Sequence, residues 1–341
     1  MASSHAWKWG ILYNADDLSM ADMLHYAKMA EAAGADSVWA AEAWRDAFVP
    51  LTAMASVLQR VRVGTSIAQF ARPPVLTALS ALSLAEYTHG RFVLGVGTAP
   101  PEWNKNWHGL EVTKPVARMR EYIECLRTLW TATTTQPVSY TGEFLQVKDY
   151  VRFIPAAYDR VPIYLAGVNR RMIQLAGSHA DGLILGPLNT PKYLREVVHP
   201  NLQRGLDSAG RGRHDVEVCT IKICAVHHDA RTARALARHA VAFYATLAYY
   251  DIVLTPMGFT EAALAIRAAM GRNDIPGMIN AVTDEMVEAL TVAGTPDEVR
   301  RQLAQFDGLV DTVILYGPYF AVDTEEVKAN HRAMIETLSQ E

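Results

Sequence analysis

Cysteine is scarce: Cys125, Cys219 and Cys224 are the only three in 341 residues. So few, so widely spaced, support neither a disulfide framework nor a zinc site. Cys219 and Cys224 lie in an apolar run, as expected of buried, unreactive thiols. Long hydrophobic runs are missing as well, since no stretch reaches the roughly 18 apolar residues that cross a bilayer. The opening residues, MASSHAWKWGILYN, carry neither an apolar signal core nor a small-residue cleavage site, so a cytoplasmic protein without membrane contact is expected. An excess of one charge is also absent, with 32 Lys and Arg against 36 Asp and Glu and a net charge of −4. A chain without a basic surplus is not expected to bind nucleic acid through its phosphates. Half the residues are hydrophobic and a fifth are charged, a balance that excludes a disordered chain.

Familiar short motifs are missing too. No Gly-x-Gly-x-x-Gly follows a strand, and no Gly-x-x-x-x-Gly-Lys-[Ser/Thr], His-Glu-x-x-His or Gly-x-Ser-x-Gly occurs. The His227–His228 pair adjoins a single carboxylate, Asp229, so no metal is expected.

What is present is alternation. Short apolar runs predict strands at Lys8–Tyr13, Asp36–Ala41, Val61–Ile67, Arg91–Gly97, Val161–Ala166, Asp181–Leu185, Val216–His227 and Asp311–Tyr316. Amphipathic runs between and after them predict helices, beginning with Ser19–Ala33, which Ser19 caps and Gly34 ends. Eight strands, each followed by a helix, predict an α/β protein of the (β/α)8 TIM barrel type. Residues 1–341 read as one domain. Three connections, Trp103–Lys114, Gly142–Tyr158 and Tyr249–Pro296, are longer than usual. Residues 249–296 are expected to form a helical insertion at the C-terminal rim, where barrel substrates bind.

The chemistry concentrates at the strand ends. Strand 2 runs out through Trp39-Ala40-Ala41-Glu42-Ala43-Trp44, a carboxylate between two indoles. Desolvation in such surroundings raises a carboxyl pKa and suits proton handling. Strand 3 ends Gly64-Thr65-Ser66-Ile67-Ala68-Gln69, small residues that let a large group approach the backbone. Strand 4 brings Gly95, Gly97 and Thr98 to the rim, followed by Asn104, Trp107 and His108. Strand 5 ends Ala166-Gly167-Val168-Asn169, and Arg170 and Arg171 open the next helix. Cations there oppose the helix dipole unless an anion is bound, so these residues describe a phosphate site.

The chain resembles the luciferase-like monooxygenase superfamily, and within it the oxidoreductases dependent on the deazaflavin coenzyme F420, such as methylenetetrahydromethanopterin reductase. The resemblance rests on Gly34-Ala35-Asp36-Ser37-Val38-Trp39, Val63-Gly64-Thr65-Ser66-Ile67, Gly90-Arg91-Phe92-Val93-Leu94-Gly95-Val96-Gly97-Thr98 and Trp107-His108-Gly109. It continues through Lys114-Pro115, Arg120-Glu121-Tyr122, Val161-Pro162-Ile163-Tyr164-Leu165-Ala166, Ala180-Asp181-Gly182 and Gly294-Thr295-Pro296-Asp297-Glu298-Val299, in the family's order.

The resemblance implies a coenzyme ring in the barrel mouth and a non-prolyl cis peptide at Ser66–Ile67. It implies F420, or FMN as the alternative, with hydride transfer between the deazaflavin C5 and a small organic substrate, and a homodimer. Trp39, Glu42 and Trp44 would wall the ring, Ser66, Ile67 and Gln69 its central and polar edges. Gly97, Thr98 and Asn104 would face the ring or its ribityl chain. Ala166, Gly167, Val168, Asn169, Arg170 and Arg171 would hold the phosphate, and Tyr244–Phe259 would shape the substrate side. Relatives that oxidise alcohols carry Asp-His at the end of strand 2; here Glu42-Ala43 stands instead, which points away from histidine-based proton transfer and leaves Glu42, His108 or a tyrosine as the proton donor. Two other readings are an oxygen-using FMN monooxygenase and a flavin-binding barrel without activity.

Overall fold

A computed structural model of the chain describes residues 7–13, 18–158 and 160–339. Eight parallel strands close a barrel: β1 Lys8–Tyr13, β2 Ser37–Ala40, β3 Arg62–Thr65, β4 Phe92–Gly97, β5 Ile163–Ala166, β6 Gly182–Leu185, β7 Glu217–Val226 and β8 Thr312–Tyr316. They pair in chain order, and β8 closes on β1 with Lys8 opposite Thr312 and Leu12 opposite Tyr316. The TIM barrel expected from the alternation is the fold.

Local signals explain the elements. In helix Met20–Ala32, Ser19 and Asp22 exchange side-chain and backbone hydrogen bonds in a capping box, typically worth about 1 kcal/mol. That helix buries Met23, Tyr26, Ala27 and Ala30 on the barrel and stops before Gly34, whose φ of +93° only glycine adopts freely. After β3 the chain breaks at Ser66–Ile67, whose peptide bond is cis as expected, and resumes pairing as Ala68–Gln69 against Val96 and Gly97.

Three elements differ from the sequence reading. Pro101–His108, expected as part of a loop, is a helix. Thr291–Gly294, expected inside the helical insertion, is a strand paired with the upper half of β7, where Ile223 meets Thr291. The helix that the alternation predicts after strand Asp181–Leu185, over Pro191–Ala209, carries a π-helical stretch at Leu194–Val198. Among the described residues no single helix is long and apolar enough to cross a membrane.

Glycines decide how the barrel interior is filled. A Cβ on Gly64 would sit 2.4 Å from the Trp39 ring, and one on Gly182 would sit 2.5 Å from the Tyr164 ring. These absences admit two large rings, 6.0 Å apart between centroids, into the barrel centre. Below them Arg62 and Glu217 pair at 2.8 Å, so the lower barrel is closed. A cavity lies at the C-terminal mouth. On the outside of β7, fully buried Lys222 donates to the carbonyls of Asn189 and Leu290, both at 2.8 Å. It ties the loop after β6 to the helical insertion, and burial pulls its ammonium down to about 7.

Candidate active site

Above the Trp39 layer the strand ends enclose a cavity of about 370 Å³. Its inner wall is made of small residues: Ser66, Gly97, Thr98, Ala166 and Gly167. Ile67 and Ala166 set the depth there, for a Cβ at Gly97 would lie 2.7 Å from Ile67 Cδ1 and 3.1 Å from Ala166 Cβ. Glu42, Trp44, Gln69, Asn104, Val168 and Asn169 also line it. The structure thus brings together twelve of the residues singled out from the sequence.

Four others lie elsewhere. Trp39 is completely buried beneath the cavity, with its indole N–H on Ser37 Oγ at 2.9 Å, so it forms barrel core and not a ring wall. The cause is Gly64, its register partner on the neighbouring strand β3, where the missing side chain leaves room for the ring. His108 is exposed at the end of helix Pro101–His108 and reaches inward only to Gln69 Oε1, at 3.3 Å. Gln69 lines the cavity and His108 does not. Arg170 and Arg171 are exposed in the first turn of helix Arg170–His179, beside the cavity and not on its wall. Asn169 occupies the N-cap position without a capping hydrogen bond from its side chain, which leaves the first amides of that helix unengaged by it.

Glu42 is fixed from two sides. Its Oε2 accepts the Gln69 backbone N–H at 2.7 Å, and its Oε1 lies 3.2 Å from Arg72 Nη1. The Gln69 side chain returns the contact by donating to the Glu42 carbonyl at 2.7 Å. Burial raises the carboxyl pKa, as the flanking indoles suggested, although the Gln69 amide and Arg72 pull the other way. Arg72 also meets Asp46 at 2.8 Å and covers the Phe48 ring at 4.6 Å. Sequence reading missed Arg72. The available signal was a lone cation at the end of strand 3, facing the acid at the end of its neighbour, strand 2.

The outer wall is aromatic. Trp44 stands 4.8 Å from Trp103 between ring centroids and 6.5 Å from Phe243. Tyr244, Tyr249, Tyr250 and Tyr319 complete this side. Tyr249 and Tyr250 share a hydrogen bond, and burial pushes both phenols well up, so both stay protonated at neutral pH. The segment Tyr244–Phe259 therefore contributes to the cavity, as does Trp103 from the aromatic cluster that follows strand 4, whereas Tyr319 was not anticipated.

Known proteins share this architecture along nearly the whole chain. The luciferase-like monooxygenase family matches residues 4–312. An uncharacterised protein of Mycobacterium tuberculosis is 32% identical over 302 residues, covering 86% of this chain and 88% of that one. A 5,10-methylenetetrahydromethanopterin reductase of Archaeoglobus fulgidus is 29% identical over 328 residues, covering 94% and 96%. The solved structure of a coenzyme F420-dependent tetrahydromethanopterin reductase from Methanopyrus kandleri superposes with a TM-score of 0.81 at 23% identity, covering 97% of this chain and 99% of that one. The chain belongs to the luciferase-like monooxygenase family, and within it stands beside the 5,10-methylenetetrahydromethanopterin reductases.

Proposed function

We propose that this protein is an F420-dependent oxidoreductase acting on an activated C=C, C=N or carbonyl group of a small organic substrate. One observation carries the reading: a cavity at the C-terminal mouth with a small-residue, hydrogen-bonding wall facing an aromatic one. The residues present fit a flavin-like ring with a phosphate tail. Ser66 Oγ and Asn104 Oδ1 are buried in this wall without a hydrogen-bond partner among the described residues, and a polar ring edge would satisfy them. Gly97 keeps the wall low enough for a flat ring to lie against the backbone. Gly167, Asn169 and the amides opening helix Arg170–His179 suit a phosphate, with Arg170 and Arg171 adding charge from outside.

When bound, the deazaflavin supplies a hydride at C5. The chain's own part is to orient, to exclude water and to deliver the proton. Trp44, Trp103 and Phe243 keep water from the reacting bond. Glu42, with both oxygens engaged by Gln69 and Arg72, positions the strand 3 end and is not the proton source. The proton comes from Tyr249 Oη, so that one hydride and one proton saturate the double bond. The family name favours a second reading on the same residues, FMN and oxygen in place of F420. The protein would act in the cytoplasm as the homodimer that the family resemblance implies, and sedimentation at micromolar concentration tests the latter.

The test is an anaerobic assay of reduced F420 with an enone, following the deazaflavin absorbance. Turnover is expected without oxygen, and Tyr249→Phe should lower kcat roughly 10²-fold while leaving F420 affinity within twofold. Turnover only in oxygen would overturn the deazaflavin reading; a full-rate Tyr249→Phe would remove the tyrosine from it.

A further inference from the structure

The cavity carries information about its substrate beyond the bond being reduced. Among the described residues no Lys, Arg, His or Asp lines it, and the acid that does, Glu42, is already engaged by Arg72 and the Gln69 amide. A substrate carboxylate or phosphate entering between the aromatic walls would lose its water without gaining a counter-ion, which disfavours it strongly. The rings of the aromatic side pack on one another. Trp103 stacks on Trp107 with centroids 4.4 Å apart and planes 23° from parallel, and Trp44 meets both edge-on. Trp44 is nonetheless 51% exposed and Trp107 52%, so large apolar rings stand open to water at the mouth. Aromatic faces held in this way favour a flat, π-rich partner. Tyrosine hydroxyls on that side, Tyr249 among them, are polar groups suited to one neutral carbonyl.

We infer that the substrate is an uncharged, flat aromatic or conjugated molecule whose ring packs against Trp44 and Trp103. The inference rests on the F420-dependent reading of the same cavity. It excludes acidic substrates by the missing cation. Glu42 offers no free negative charge, so organic cations are excluded as well, although aromatic rings alone would attract them.

The experiment uses the F420-loaded protein and three molecules of one shape: chalcone, 4-carboxychalcone and 4-trimethylammonio-chalcone, each titrated by calorimetry. Chalcone should bind at least tenfold more tightly than either ion. Leu247 also lines the cavity; Leu247→Arg, which adds a cation to the wall, should bring the carboxylate level with chalcone or ahead of it, and binding of F420 by this variant shows that it is folded. A carboxylate that binds wild type as well as chalcone does, an ammonium analogue that binds more tightly, or no binding of any of the three would overturn the inference. If F420 binds in every one of those cases, the proposed function stands without it. Failure of F420 itself to bind is a separate result and strikes the functional reading instead.

Discussion

Glu217 at the bottom of the barrel accepts five hydrogen bonds: two from Arg62 at 2.8 and 2.9 Å, one from Tyr164 at 2.7 Å, one from Thr312 at 2.6 Å and a longer one from the Cys219 thiol at 3.7 Å. Burial works to raise its pKa, but the Arg62 hydrogen bonds and charge outweigh it and hold the carboxyl at about 2. A depressed carboxyl pKa adds stability that is complete above the unfolded value and is lost as pH falls through the folded one. The window here runs from about pH 4.5 down to about 2, and the contribution is about 3 kcal/mol. Arg62→Met leaves this acid buried without its partner and should cost about 3–5 kcal/mol near neutral pH, measured by urea unfolding. A loss under 1 kcal/mol, or one independent of pH between 2 and 5 (about the window above), would show that the pair contributes little. Glu42 was legible as a rim carboxylate because the apolar run of strand 2 fixes where that strand ends. Its partner Arg72 was not, because only strand register brings together residues thirty positions apart.

Strand-end glycines show how an element tolerates or refuses volume. A Cβ on Gly95 would lie 2.0 Å from the Thr65 carbonyl oxygen, a backbone atom that cannot move aside without breaking the β3–β4 edge. On Gly97 the first obstacle is the flexible tip of Ile67 at 2.7 Å. Gly95→Ala should therefore destabilise the fold, by about 1–3 kcal/mol or more, while Gly97→Ala should leave thermal stability nearly intact and weaken coenzyme binding instead. Paired melting curves and F420 titrations check this; equal destabilisation by both would contradict it. Elements with strong terminal signals were read well, such as Ser19 to Gly34 around the first helix. Helix Pro101–His108 bore comparable signals, prolines at its start and Gly109 in the left-handed conformation beyond it, but its mixed composition and low apolar content hid them. Strand Thr291–Gly294 had no such marker. Four residues at the end of a helix become a strand here only because the upper part of β7 offers a free edge.

For the whole molecule, the eightfold alternation made the barrel legible, since a parallel strand followed by a helix has few ways to bury both faces. The cavity followed from the fold, as βα loops at the C-terminal rim supply its walls. Its aromatic side was only partly legible. Trp103 and Tyr319 come from segments far apart in sequence, and Trp39 was drawn into the barrel by Gly64 and away from the site. The central claim joins this cavity to a deazaflavin, and the most direct test is to titrate the purified protein with F420 and separately with FMN, following quenching of fluorescence. Micromolar or tighter binding of F420, at least tenfold stronger than FMN, is the predicted result. Preference for FMN, or binding of neither, would contradict it.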